Sequence, residues 1–150
     1  MLGGGYLLFA KYTGHVLRAW LHLKNKAMMG WRNLVGGSEQ LKLLEMNVPT
    51  HADLNEAATL GCTFDLAGGK LYSVKWYKDD FEFFRYIPGN TPHGHSLPVS
   101  GINVDLDASD MNTIKLTRLS FNSSGTYRCE VSTEAPNFNT VVASGNMTVM

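Results

Sequence analysis

Thr126-Tyr127-Arg128-Cys129-Glu130-Val131 is the stretch that decides the fold. Tyr127, Cys129 and Val131 share one parity, while Arg128 and Glu130 share the other. The run therefore reads as a strand with an inward apolar face and an outward charged one. Cys129 is one of two cysteines in the chain, and the other, Cys62, lies 67 positions upstream. Trp76 falls 14 residues after Cys62, and Tyr127 two residues before Cys129.

Two cysteines bridging two sheets, a Trp packed on the bridge and a Tyr at the corner of the last cysteine's strand are what an immunoglobulin sandwich requires. The spacing places Cys62 on strand B, Trp76 on strand C, and Tyr127 and Cys129 on strand F. A Cys62–Cys129 disulfide implies an oxidising compartment. Closing that loop stabilises by about 4 kcal/mol in the chain-entropy model. The alternative is a pair of buried free thiols in a cytosolic protein, which leaves the Trp and Tyr spacing as coincidence. The interval from Trp76 to Cys129 has room for strands C′ and C″. The expected class is thus an all-β, variable-type immunoglobulin sandwich over residues 41–150.

The remaining strands follow from the pattern around this frame. Leu41 to Pro49 alternates loosely and ends in a proline, as an edge strand A with a break would. In strand B, Leu60, Cys62 and Phe64 face inward. Leu71 to Lys78 forms strand C, with Tyr72, Val74 and Trp76 expected in the core and Ser73, Lys75 and Tyr77 outside. Asp79-Asp80 turns the chain into Phe81-Glu82-Phe83-Phe84-Arg85-Tyr86-Ile87, which is aromatic at both parities and is expected to offer one aromatic face to solvent or a partner. Pro88 to Pro98 is loop-like. Val104 and Leu106 mark strand D; Ile114, Leu116 and Leu119 mark strand E. Phe121 to Gly125 turns into strand F, where the Tyr127 hydroxyl should bond back to backbone. Val141, Val142, Met147 and Val149 belong to strand G.

The net charge is zero, but it divides unevenly. Residues 1–40 carry five Lys/Arg against one acidic residue; residues 41–150 carry eight against twelve. A mildly acidic domain without a basic stripe argues against nucleic acid, whose backbone demands clustered cations. Residues 1–40 read as an atypical leader or non-domain segment. Tyr6-Leu7-Leu8-Phe9-Ala10 is a short apolar run, preceded by three glycines and ended by Lys11, unlike a secretory signal. Leu17, Trp20, Leu21, Met28, Trp31 and Val35 fall near helical spacing with basic residues between them. Either this is an amphipathic surface or targeting helix, or it does not belong to the mature protein. No run of 18 apolar residues spans a membrane.

Variable-type domains commonly bind partners through the sheet of strands G, F, C and C′. On this chain that sheet is expected to display Lys75 and Tyr77 from C, Phe83 and Arg85 from C′, and Arg128 and Glu130 from F. Tyr, Phe and Arg are enriched at interface centres. The plainer alternative is that the charged members merely pair across strands, each pair contributing under about 1 kcal/mol. Sequons at Asn122-Ser123-Ser124 and Asn146-Met147-Thr148 are candidate glycosylation sites. His93-Gly94-His95 with His51 lacks the ligand number and spacing of a zinc site, so neither metal nor cofactor is expected. No nucleophile elbow, phosphate-cradling loop or His-Glu-x-x-His is present, so no catalytic residue is nominated and the chain reads as a non-enzyme.

Several runs are narrower than the general fold pattern. Leu71-Tyr72-Ser73-Val74-Lys75-Trp76-Tyr77, Glu82-Phe83-Phe84-Arg85-Tyr86, Ser124-Gly125-Thr126-Tyr127-Arg128-Cys129-Glu130-Val131-Ser132 and Ala135-Pro136-Asn137-Phe138 together resemble the first immunoglobulin domain of the beaten path (Beat) family of arthropods. The resemblance covers about residues 41–150. It implies an extracellular, secreted or cell-surface recognition protein of axon guidance, with a sidestep-family cell-surface immunoglobulin protein as partner. It also implies a second immunoglobulin domain, which these residues do not include. Ser123 stands where many variable-type domains carry the Asp of a corner salt bridge. Two other classes remain open: a secreted immune or soluble ligand-binding immunoglobulin domain, and an intracellular structural one with free thiols.

Overall fold

The computed structural model describes residues 40–150; the expected leader or amphipathic helix, save its last residue, lies outside the described residues. Ten strands follow in order: β1 (Lys42–Asn47), β2 (His51–Ala52), β3 (Ala58–Asp65), β4 (Leu71–Lys78), β5 (Phe81–Tyr86), β6 (Gly94–Ser96), β7 (Val104–Asp105), β8 (Thr113–Leu116), β9 (Gly125–Thr133) and β10 (Thr140–Val149). One sheet runs β1-β3-β8-β7 and the other β2-β10-β9-β4-β5-β6. These are strands A-B-E-D and A′-G-F-C-C′-C″ of a variable-type sandwich.

Proline explains how the first strand serves both sheets. Pro49 has no N–H and interrupts the ladder after β1, which pairs antiparallel with β3. Beyond it, β2 crosses over and pairs parallel with β10, Thr148 opposite His51 and Val149 opposite Ala52.

The core is built by the residues that the cysteine frame singles out. Cys62 and Cys129 form the disulfide with Cα atoms 6.6 Å apart. Trp76, opposite Cys129 in the β4–β9 ladder, is fully buried with Tyr127, Phe83, Phe84, Leu60, Ile114, Leu116 and Val131. Each such large side chain stabilises by about 1.5–3 kcal/mol through burial. The Tyr127 hydroxyl donates to the Ser123 carbonyl, the expected corner bond. Burial pushes the Tyr127 phenol well above its ordinary pKa.

Ser123 is integrated at this corner in place of a carboxylate. It is buried, accepts a bond from the Ser120 N–H at 2.9 Å and donates to the Gly101 carbonyl at 2.6 Å. A short hydroxyl thus fixes the E–F turn without an ion pair.

Three expectations from strict alternation are corrected. Tyr72 is 53% exposed and Ser73 is buried, because Tyr72 is the extra residue where the β4–β9 register slips between Leu71 and Ser73. Phe83 is fully buried because it is the extra residue of a second slip, where Trp76 faces Phe84 but Tyr77 faces Glu82. A bulge inserts one residue and breaks the period of two. Leu106 leaves strand D, opens a 3-10 turn (Leu106–Ala108) capped by the Asp105 carboxylate, and is exposed.

Candidate partner-binding face

The outward face of the larger sheet is laid out by antiparallel register, since directly opposed residues point the same way. One row crosses β6-β5-β4-β9-β10 as His95, Arg85, Lys75, Glu130 and Val142. The next row is Glu82, Tyr77, Arg128 and Ser144. A third ends on Thr126 and Asn146. Lys75, Tyr77, Arg85, Arg128 and Glu130 thus converge on one face.

Phe83, the sixth expected member, does not join them. It packs edge-on against Tyr127 inside the sandwich, with ring centroids 5.9 Å apart and planes at 82°. Glu82 takes the outward place beside Tyr77.

The centre of the face is a stacked pair. The Arg128 guanidinium carbon lies 4.3 Å from the Tyr77 ring centroid, a cation–π contact. Arg128 Nη1 also donates to Asp80 at 2.8 Å. Partial burial first, then the neighbouring Glu130 and Glu82 carboxylates, raise the Tyr77 pKa, so the phenol stays protonated. Arg85 holds Glu82 through two bonds of 2.7 Å, a bidentate fork. Its pKa is raised chiefly by that Glu82 bond, with Tyr77 and Tyr72 adding to it. Tyr72, missed as an outward residue because of the bulge, is exposed on the same strand as Lys75 and Tyr77.

The β4–β5 turn presents Asp79 and Asp80 with φ of 48° and 69°. Two left-handed central residues are what a two-residue hairpin needs to match strand twist. Asp79 accepts from the Thr126 N–H at 2.9 Å and from Lys78 Nζ at 3.1 Å. The Thr126 bond first, then the Lys78 one, hold its carboxyl below the usual range. Asp79, Asp80, Thr126, Arg128 and Ser144 line an open cleft of about 320 Å³.

At the opposite end of the sheet stands the loop between β9 and β10. Phe138 there is 74% exposed at φ 43°. The loop is tied by Thr133 N–H to the Asn139 carbonyl and by Glu134 N–H to the Lys70 carbonyl.

The remaining nominated residues are scattered. Asn122 lies exposed in the 3-10 turn Phe121–Ser123, and Asn146 exposed on the outward face, accepting from the Thr126 hydroxyl at 2.8 Å. His93 packs against Tyr86 at 5.5 Å between ring centroids. Among the described residues no group of three or more His, Cys, Asp or Glu could hold a metal. None of their helices is long and apolar enough to cross a membrane.

The immunoglobulin V-set domain profile matches residues 45–149, more than half of the chain. The chain belongs to the immunoglobulin V-set family. Among solved structures it is similar to murine CRIg at 17% identity and a TM-score of 0.52, covering 73% of this chain and 96% of that one. It is similar to VCBP3 domain 1 from Branchiostoma floridae at 16% and 0.54, covering 74% and 96%. It is also similar to a chain of the complex of Dpr1 IG1 with DIP-eta IG1, at 17% and 0.52, covering 74% and 96%. No curated protein matches the sequence. These similarities establish the V-set fold and leave the partner to be argued from the face itself.

Proposed function

We propose that the chain is an extracellular recognition module of axon guidance that binds a sidestep-family cell-surface immunoglobulin protein through the β10-β9-β4-β5 face. The observation that carries the reading is the stacked Arg128–Tyr77 pair at the centre of that face. A guanidinium held over an aromatic ring is rigid before binding, so little entropy is lost when a partner covers it. Lys75, Arg85 and Glu130 surround it, and Tyr72 and Val142 add exposed apolar area. The resemblance to the beaten path family supplies the partner class. That one similar structure is itself a complex of two such domains supports an immunoglobulin partner.

The Cys62–Cys129 bridge supports an oxidising, extracellular setting. A glycan on Asn146 would stand at the turn-side end of the face, leaving the Lys75 row open. Applying the secreted, oxidised chain to cells displaying individual sidestep-family ectodomains tests the reading. Binding to at least one, above cells displaying an unrelated immunoglobulin ectodomain, is expected. Binding to none overturns the partner assignment.

A further inference from the structure

The Asn122-Ser123-Ser124 sequon stands on a turn that the rest of the domain clamps. Ser123 is buried, and its hydroxyl donates to the Gly101 carbonyl at 2.6 Å and accepts from the Ser120 N–H at 2.9 Å. The Ser124 N–H closes the turn on the Phe121 carbonyl at 3.1 Å. Gly101, at φ 80°, backs directly onto Asn122: a Cβ there would fall 2.5 Å from the Asn122 carbonyl carbon. The backbone of Phe121–Ser123 is therefore fixed before anything binds it.

Two neighbouring side chains project from this fixed turn. Phe121 is 65% exposed, and Asn122 beside it is exposed too. Among the described residues the Asn122 amide makes no side-chain hydrogen bond, whereas Asn146, in the second sequon, is tied to the Thr126 hydroxyl at 2.8 Å. An aromatic ring in water gains free energy from any apolar surface brought onto it.

We infer that Asn122 carries an N-linked glycan and that the Phe121 ring is the seat of its first sugar. Asn122 Nδ2 forms a bond to the anomeric carbon of a lipid-diphosphate-linked oligosaccharide during export. The bond from that carbon to the diphosphate oxygen breaks, the lipid diphosphate leaves with the electron pair, and the amide gives up one proton. The first sugar, an N-acetylglucosamine, has a face of weakly positive C–H groups that suits the negative face of an aromatic ring. Its attachment one residue from Phe121 makes the contact intramolecular, at high effective concentration. The clamped turn keeps the ordering cost low. The glycan is then a structural cover of the E–F turn rather than a passive surface addition. The inference rests on the extracellular reading of the chain, not on the identity of any partner.

The full chain, given a secretion signal and expressed in eukaryotic cells, tests this. Glycopeptide mass spectrometry should find Asn122 occupied. Asn122→Gln should lower the melting temperature by about 4 °C. The same substitution should change nothing in a Phe121→Ser background, because the ring that the sugar covers is gone. Trimming the glycan to its first sugar should leave the wild-type melting temperature intact. Asn122→Gln is preferred to Ser124→Ala, since the Ser124 hydroxyl also accepts from the Val149 N–H at 2.8 Å. A bare Asn122 in the secreted, oxidised chain overturns the inference, and so does an Asn122→Gln effect of equal size with and without Phe121. Loss of sidestep-family binding in the glycosylated Phe121→Ser chain would assign the ring to a protein partner and overturn it as well. Free-thiol titration of the same samples tests the extracellular reading separately, through the Cys62–Cys129 bridge.

Discussion

Arg128 and Tyr77 lie opposite each other on β9 and β4, with the guanidinium carbon 4.3 Å from the ring centroid. Both flank buried core residues, Cys129 and Trp76, which share a register position in the same ladder. The outward pair is therefore aimed by the inward one. Shifting either strand by one residue would turn the stack into the core and the cystine toward water.

Phe83 and Arg85 are two residues apart on β5 but have different tasks. Phe83→Ala should cost about 3–5 kcal/mol, because it opens a cavity against Tyr127. Arg85→Ala should cost under about 1 kcal/mol of stability, the worth of a surface pair, while reducing partner binding. Urea denaturation of both variants, with binding measured on the folded fraction, checks the contrast.

Gly125 is required by closeness of approach. A Cβ there would sit 2.6 Å from Asp79 Oδ2 and displace the carboxylate that caps Thr126. Gly125→Ala should destabilise by about 1–3 kcal/mol. Adding Asp79→Ala should cost less than it does in the wild-type background, since the cap is already lost. A thermal-melt double-mutant cycle measures this.

Acid should weaken the β4–β5 turn. The Asp79 pKa is lowered in the folded state, first by the Thr126 N–H and then by Lys78. Its contribution is therefore fully present above the unfolded Asp pKa and is lost as pH falls through the lower folded value. Between pH 5 and about pH 2, stability of the wild type should fall more than that of Asp79→Asn. Parallel urea titrations across that range test the sign. An Asn variant as acid-sensitive as the wild type would remove Asp79 from the account.

Phe138 combines exposure with a left-handed backbone that disfavours a bulky side chain. Phe138→Gly should raise the melting temperature by relieving about 1 kcal/mol of strain. Loss of partner binding in the same variant would assign the aromatic tip to the interface; unchanged binding would confine contact to the sheet.

How much of this was legible in the sequence varies with the range of the cause. The Cys62, Trp76, Tyr127 and Cys129 frame was readable because a bridge between two sheets fixes spacing along the chain. Outward Lys75, Tyr77, Arg128 and Glu130 were readable because β9 and the end of β4 keep a period of two. Tyr72 and Phe83 were misplaced because each sits at a bulge, where one extra residue depends on pairing with a distant strand. The Ser123 corner was visible only as a missing carboxylate. What replaces it, a hydroxyl bonded to Gly101 and Ser120, depends on a loop 22 residues away.

The most direct test is the affinity of a sidestep-family ectodomain for the Arg85→Glu/Arg128→Glu double variant, with Lys42→Glu on the opposite sheet as control. Both should be shown first to keep the disulfide and a wild-type circular dichroism spectrum. Wild-type affinity for Lys42→Glu, and loss of at least 100-fold for the double variant, is the expected result. Undiminished binding by the folded double variant would contradict the assignment of this face.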